Sequence, residues 1–437
     1  MSKNNPLSLL ATNPRFRQLW VIGLFTSIAR WLDMLVVGIF AYELTHSPFF
    51  VALLVLLRLL PLIIVGPIIG TLSDRLNPKN LFGFSLCCAV VSSLTIYILF
   101  LLDIATYWHI AISVIVSGSV WATDFPLRRR MLGDSAQLSD DVDMEKKKTN
   151  SENLEVGNKK REKNNNNIAI AMSLDSASNN ATRMIGPLTG GLTYYWLGPE
   201  GAFGIHFLLF LFSAVFFYFL PNTQLSSVQV APLTKGVREL WEAIQYAASN
   251  RDLRSVLLIT IVFNIWGFPF LSMIPVIGGS ELGLNASWIG LIVAMEGLGA
   301  FIGALIVAMK VKTKYFRILF FYSSALHLIL IFILGWIDEA IPFGLIVLLI
   351  GLVAAGFTTM QSTLIFTVSK PEMRGRLFGL VVACIGTGLI GNANIGLMGE
   401  LFGGSKAISI TALEGIVPLI IIGFLWKELR KPITKIN

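Results

Sequence analysis

The feature that most constrains this chain is an alternation. About twelve apolar stretches, most of them long enough to cross a bilayer, are joined by loops whose charge alternates along the sequence. Basic residues gather in every second loop: Arg75 and Lys79, then Arg128, Arg129 and Arg130, then Lys235, Arg238, Arg251 and Arg254. Lys312, Lys314 and Arg317 follow, then Lys370, Arg374 and Arg376, and finally the C-terminal Lys427, Arg430, Lys431 and Lys435. The intervening loops offer Glu43, Asp103, Glu200, Glu281, Asp338 and Glu339, with Lys406 as the exception. Lys and Arg beside membrane segments stay in the cytoplasm, so both termini are expected there, in a multi-pass protein of the cell membrane. We call the two faces of the bundle the basic end and the acidic end.

Composition agrees. Of 437 residues 54% are hydrophobic and only 14% charged, too much apolar surface for a soluble chain of this size. The net charge of +8 is explained by the loop bias, so no nucleic-acid partner is expected. The partners expected are the bilayer and a small molecule, with the chain acting as a monomer. Cys87, Cys88 and Cys384 lie in apolar stretches, and the four histidines are scattered, so neither a metal site nor a disulfide framework is indicated. The polar, proline-broken N-terminus lacks a cleavable-signal pattern. No cofactor motif appears, and the absence of a Walker sequence argues against direct drive by ATP.

The predicted spans are 19–44, 49–72, 81–102, 108–127, 168–196 and 202–220, then 253–278, 287–310, 316–337, 341–368, 376–402 and 407–426. This is an all-α membrane fold of two six-helix bundles, 1–220 and 253–437. Residues 137–167 are polar and Asn-rich and are expected to form a disordered cytoplasmic insert. Residues 221–252 link the bundles. Val237, Leu240, Ile244 and Ala247 recur there at helical spacing, which predicts an amphipathic helix on the cytoplasmic face.

Ionisable groups inside spans are costly and therefore candidates for function. Arg30 and Asp33 share a face of the first span, and Arg58 in the second is placed either to pair with Asp33 or to snorkel outward. Glu296 has no opposite charge within a turn of its own helix. Asp33 and Glu296 are thus alternative proton-coupling sites, with Arg30 and Arg58 as cavity residues; a structural ion pair or a hydrogen-bonded acid is the competing reading. Asp124, four residues before Arg128, reads as a structural partner, and Glu400 and Glu414 are weaker candidates. Trp31, Trp121 and Trp266 offer stacking surfaces, although lipid contact and helix packing are commoner uses. No catalytic cluster of an enzyme stands out.

Two sequence elements carry a family resemblance. The stretch from Gly66 to Lys79, with Gly70, Leu72, Asp74, Arg75 and Lys79, resembles the GxLaDrxGrkxxl loop of the major facilitator superfamily; Asn77 and Pro78 depart from it. Arg183, Gly186, Pro187, Gly190 and Gly191 look like that family's fifth-helix GPxxGG element. The phrases ELTHSP, DFPLRRR, SLDSASNNATRMIGP and PEMRGRLFGL are similar to the branch containing the enterobactin exporter and macrolide efflux permeases. The resemblance implies alternating access. It implies a cytoplasmic latch in which Asp74 meets Arg128 or the Arg374 and Arg376 pair, and a hinge at Pro187. It also implies proton-driven export of a small amphipathic, drug-like or siderophore-like compound. A lipid or lysolipid transporter of the same fold, or a membrane sensor or scaffold, is the alternative.

Overall fold

The computed structural model describes residues 10–72, 77–145, 154–221, 233–370 and 373–431. These residues contain helices and no strand. The N-terminal bundle comprises α1 (Pro14–Thr45), α2 (Pro48–Leu72), α3 (Pro78–Leu101), α4 (Tyr107–Glu145) and α5 (Leu154–Tyr218). A linking helix α6 (Leu233–Ser249) leads to the C-terminal bundle. Its first span is α7 (Arg251–Val262) and α8 (Phe270–Val276) with π-helical turns at Phe263–Gly267 and Ile277–Glu281. Then come α9 (Ala286–Lys310), α10 (Phe316–Leu334), α11 (Ala340–Val368), α12 (Arg374–Gly386), α13 (Gly388–Phe402) and α14 (Gly404–Leu425).

Eleven continuous stretches are long and apolar enough to cross a bilayer. One of them, Leu174–Tyr218, has 45 residues, about 68 Å of helix against a hydrocarbon core of about 30 Å. It therefore crosses twice. The turn falls at Gly198, whose φ of 70° and ψ of −178° only glycine takes easily, and Pro199 follows. This recovers the twelve crossings expected. The backbone of α5 departs from helical dihedrals at Gly198 and not at Pro187. Helices α4 and α5 extend over 137–145 and 154–167 of the segment expected to be disordered, while 146–153 lie outside the described residues.

Local chemistry sets the helix starts. Asn13 caps α1 by accepting from Phe16 N at 3.0 Å, and Pro14 occupies the first turn. Asn77 and Pro78, the two departures from the loop motif, do the same for α3, with Asn77 accepting from Lys79 N at 2.9 Å. Asn250 caps α7 and Asn285 caps α9.

The apolar core shows how the bundles meet. One cluster of buried side chains joins both of them: Leu32, Val36, Val51 and Phe203 from the first pack with Phe270, Ile274, Ile289 and Ile395 from the second. Its members lie in the portion of each helix nearest the acidic end. Toward the basic end the clusters separate. Phe16, Phe82, Leu127 and Met131 form a core private to the N-terminal bundle. Val256, Phe320, Met360 and Leu377 form one private to the C-terminal bundle. The bundles thus share one core at the acidic end and keep separate cores toward the basic end.

Helix α6 docks by a face that differs in part from the apolar face expected of it. Ala243 and Ala247 are buried while Ile244 and Trp241 are exposed. Glu242 accepts from Arg376 Nη1 at 2.6 Å and Tyr246 Oη accepts from Lys370 N, which ties the linker to the second bundle. The side chains of Val237 and Leu240 lie outside the described residues.

Candidate functional site

Arg30 and Asp33 sit one turn apart on α1, yet each pairs with another helix. Arg30 Nη2 donates to Asp124 Oδ2 on α4 at 3.0 Å, and its guanidinium lies over the Trp121 ring. The second oxygen of Asp124 accepts from Arg128 Nε at 3.0 Å. Arg128 Nη1 in turn donates to Asp175 Oδ1 on α5 at 2.6 Å, and Arg129 Nε reaches Asp175 Oδ2 at 3.1 Å. Each carboxylate thereby serves two guanidiniums. Burying such charges is expensive unless their hydrogen bonds are met, and chaining them meets most at once. Gly23 makes room: a Cβ there would fall 2.3 Å from Arg128 Nη1.

Asp33 pairs instead with Arg58 of α2, at 2.7 Å between Oδ2 and Nη2. The contact is an ion pair by distance, and its angles are not those of a hydrogen bond. His206 Nε2 from α5 lies 4.0 Å from Asp33 Oδ1. All three side chains are buried inside the N-terminal bundle. Arg58 therefore does not snorkel.

Glu296 has a partner from the other bundle. Arg183 Nη2 on α5 donates to Glu296 Oε1 at 2.5 Å, and the Arg183 guanidinium packs over Trp31. Glu296 is ten residues past Ala286, about 15 Å into α9 and so near mid-membrane. Glycine allows the approach. A Cβ on Gly297 would stand 2.7 Å from the carbonyl carbon of Arg183, and one on Gly290 would stand 2.7 Å from Pro187 O. The fifth-helix element divides its small residues between two neighbours. Gly186 and Gly190 face Trp31 and Leu32 of α1, and Gly191 faces Ala286 and Gly290 of α9.

The expected latch is placed in part. Asp74 and Arg75 lie outside the described residues, and Gly70 is the third residue from the end of α2. Lys79 Nζ donates to Leu220 O at the end of the N-terminal bundle. Arg128 belongs to the buried lattice above. Arg374 stacks over Phe366 at 3.8 Å, and Arg376 holds Glu242.

At the acidic end Ser47 Oγ donates to Glu400 Oε2 across the two bundles, and Tyr194 Oη donates to Glu43 within the first. In the C-terminal bundle the interior polar contacts are mostly neutral. Gln361 donates to Thr260, and Glu414 Oε2 accepts from Trp266 Nε1 at 3.1 Å and Asn394 Nδ2 at 2.6 Å. The ion pairs Arg317–Asp252 and Arg251–Glu428 sit at its basic end. Among the described residues no group of His, Cys, Asp and Glu is arranged to hold a metal.

Asp175 and His206 are the residues that sequence reasoning missed. Asp175 carried a signal, an unpaired acid at the start of the fifth stretch opposite three arginines closing the fourth. His206 carried none, because a single histidine in an apolar run has no periodic partner.

Two helical bundles that share a core at one end and an ion pair near mid-membrane have the architecture of a membrane transporter built from two halves. The sequence profile of the Major Facilitator Superfamily matches residues 19–392, and the chain belongs to that superfamily. It is 23% identical over 419 residues to the uncharacterized MFS-type transporter YfiS of Bacillus subtilis (strain 168), covering 90% of each chain. Solved structures of similar fold include the nucleoside transporter NupG, with TM-score 0.67 and 12% identity over 94% of this chain and 99% of that one. Another is a POT family transporter in complex with 5-aminolevulinic acid, with TM-score 0.70 and 10% identity over 96% and 97%. A third is a bacterial homolog to the human lysosomal transporter Spinster, with TM-score 0.67 and 13% identity over 95% and 96%.

Proposed function

We propose that this transporter is a proton-coupled exporter of small amphipathic compounds and that Glu296 is its coupling group. The observation that carries the proposal is the Arg183–Glu296 contact, a carboxylate whose counter-charge belongs to the opposite bundle. Rocking the bundles apart at the acidic end separates this pair. An isolated carboxylate inside the membrane then takes a proton more readily than it stays charged. When the end closes again, the approaching guanidinium replaces the proton, which leaves toward the open basic end. Asp33 is less suited to the task, since Arg58 and Asp33 move together inside one bundle and no gating motion need part them.

With the basic end in the cytoplasm, as the loop charges favour, the observed arrangement is the state open to the cytoplasm. That is the state in which an exporter loads. Export and the amphipathic substrate class rest on the branch resemblance in the sequence.

The test is transport in proteoliposomes under an imposed pH gradient, with a panel of siderophores, macrolides and amphipathic drugs. A substrate should collapse the gradient in the wild type. Glu296→Gln should lose this coupling while keeping its thermal unfolding profile, because glutamine still accepts from Arg183. Gradient-driven transport that survives in Glu296→Gln removes Glu296 from the mechanism.

A further inference from the structure

A cavity of about 290 Å³ lies at the acidic end, away from every buried ion pair. Its walls come from both bundles: Tyr42, Glu43, Tyr194 and Tyr195 from the first, Pro275 and Ile289 from the second. No Lys or Arg lines it. Glu43 is exposed, and its Oε2 accepts from Tyr194 Oη, which fixes one edge of the carboxylate against the phenol. Tyr195 is half exposed. Glu200 is near enough to act electrostatically on Tyr194, so the acidic field has a second source.

Three phenol rings, one carboxylate and apolar walls make a specific chemical request. Ring faces attract cations through their quadrupole, a carboxylate adds direct Coulomb attraction, and apolar walls accept a hydrophobic body. An anion is repelled by the Glu43 carboxylate, and against this it has only the start of α9 at Asn285 and Ala286 and the phenol hydroxyls to meet. A small metal cation finds a single lining carboxylate, and that one already accepts from the Tyr194 hydroxyl.

We infer that this vestibule binds a monovalent organic cation with an aromatic or aliphatic body, and that the bound cation holds the acidic end shut. The second half follows from where the walls originate. The site exists in this form only while the two bundles converge, so a ligand that fits it stabilises convergence by its differential affinity for that state. Seen from the cytoplasmic-open state, the vestibule is an inhibitory site on the outer face, distinct from the Arg183–Glu296 pair. The locking effect rests on the alternating-access reading with the orientation proposed above; the binding itself does not.

The experiment uses the full chain in nanodiscs with benzyltrimethylammonium as the probe and neopentylbenzene as its uncharged isostere. Binding is read calorimetrically with no ion gradient, so failure of proton coupling elsewhere leaves the result intact. Saturable binding with a Kd on the order of 1 mM or tighter is expected for a ligand this small. The isostere should bind at least about tenfold more weakly, as charge recognition requires. Glu43→Gln should weaken the cation by a similar factor while still accepting the Tyr194 hydroxyl. Tyr195→Ala, at an exposed ring, should weaken it by about fivefold, within the range of an exposed cation–π contact. A cysteine introduced at Leu284 should be alkylated more slowly when the probe is present. No saturable binding to the wild type overturns the proposal. So does equal binding of the isostere, or unchanged affinity in both Glu43→Gln and Tyr195→Ala. Binding that leaves alkylation unaffected overturns the locking effect.

Discussion

Replacing Gly290 with alanine should open the acidic end. The α5–α9 crossing there is a backbone-to-backbone contact: the added Cβ would stand 2.7 Å from Pro187 O and 2.8 Å from Gly191 Cα. Ordinary contact begins near 3.4 Å, so the helices must retreat by about 0.7 Å. No flexible side chain is present to yield in their place. Overpacking of this kind costs about 1–3 kcal/mol. The cost falls on the state closed at the acidic end and disappears when α5 and α9 separate there. The equilibrium between the two states should therefore move about 5- to 150-fold toward opening. The assay is the distance between spin labels placed at Asp103 and Asp338, one in each bundle's acidic loops, after Cys87, Cys88 and Cys384 have been replaced. A growing population of longer distances is expected for Gly290→Ala. Gly375→Ala is the control, since nothing lies within 4 Å of its new Cβ. A distance distribution unchanged by Gly290→Ala refutes the reasoning, and so does a loss of thermal stability without redistribution, because the strain would then belong to both states.

Other outcomes follow from the same contacts. Arg58→Met leaves Asp33 buried beside a histidine at 4.0 Å, and breaking a buried pair from one side costs about 3–5 kcal/mol; the thermal midpoint in detergent should fall sharply and recover in Asp33→Asn/Arg58→Met, whereas equal losses in both variants would contradict it. Ser47→Ala removes a hydroxyl that bridges the bundles to Glu400 and should shift the same spin-label distances in the direction of Gly290→Ala, by the smaller margin of about 0.5–1.5 kcal/mol for one hydrogen bond. Arg376→Ala should matter little to global stability, about 1 kcal/mol or less, since its partner Glu242 is partly solvated; proteolysis of α6 should nonetheless quicken, and unaltered cleavage would show that Ala243 and Ala247 suffice to dock the helix.

The helices were legible because lipid imposes a coarse rule: a span must be long, apolar and internally hydrogen-bonded. Partnerships between charges were less so. Helical spacing put Arg30 beside Asp33, yet periodicity reports neighbours on one helix, and buried ions find partners on others. Arg58 could be named for Asp33 because both lay in adjoining spans at similar depth. Glu296 looked solitary because its cation lies 113 residues away in the opposite bundle. Asn77 and Pro78 read as defects in a loop motif, and helix-capping chemistry accounts for both. The turn at Gly198 falls between the two stretches expected there, and the chain reverses at that glycine without an extended loop.

The chained arginines and aspartates have a mechanical meaning. They join α1, α4 and α5 through contacts that resist shear, and Arg58 with Asp33 pins α2 to the same frame. The C-terminal bundle has no comparable internal bracing among its described residues. Its first span is loosened at two π-turns, where Phe268 N reaches back to Phe263 O and Leu282 N to Ile277 O. A wide turn of this sort is a place where a helix can rotate without breaking its ladder. The two halves are therefore unequal machines. The first should move as a block, and bending in the second should concentrate at the two π-turns of the α7–α8 span, which is held by Arg317 at Asp252 and by Glu414 at Trp266. Amide exchange should mark that span as the soft element of the cycle.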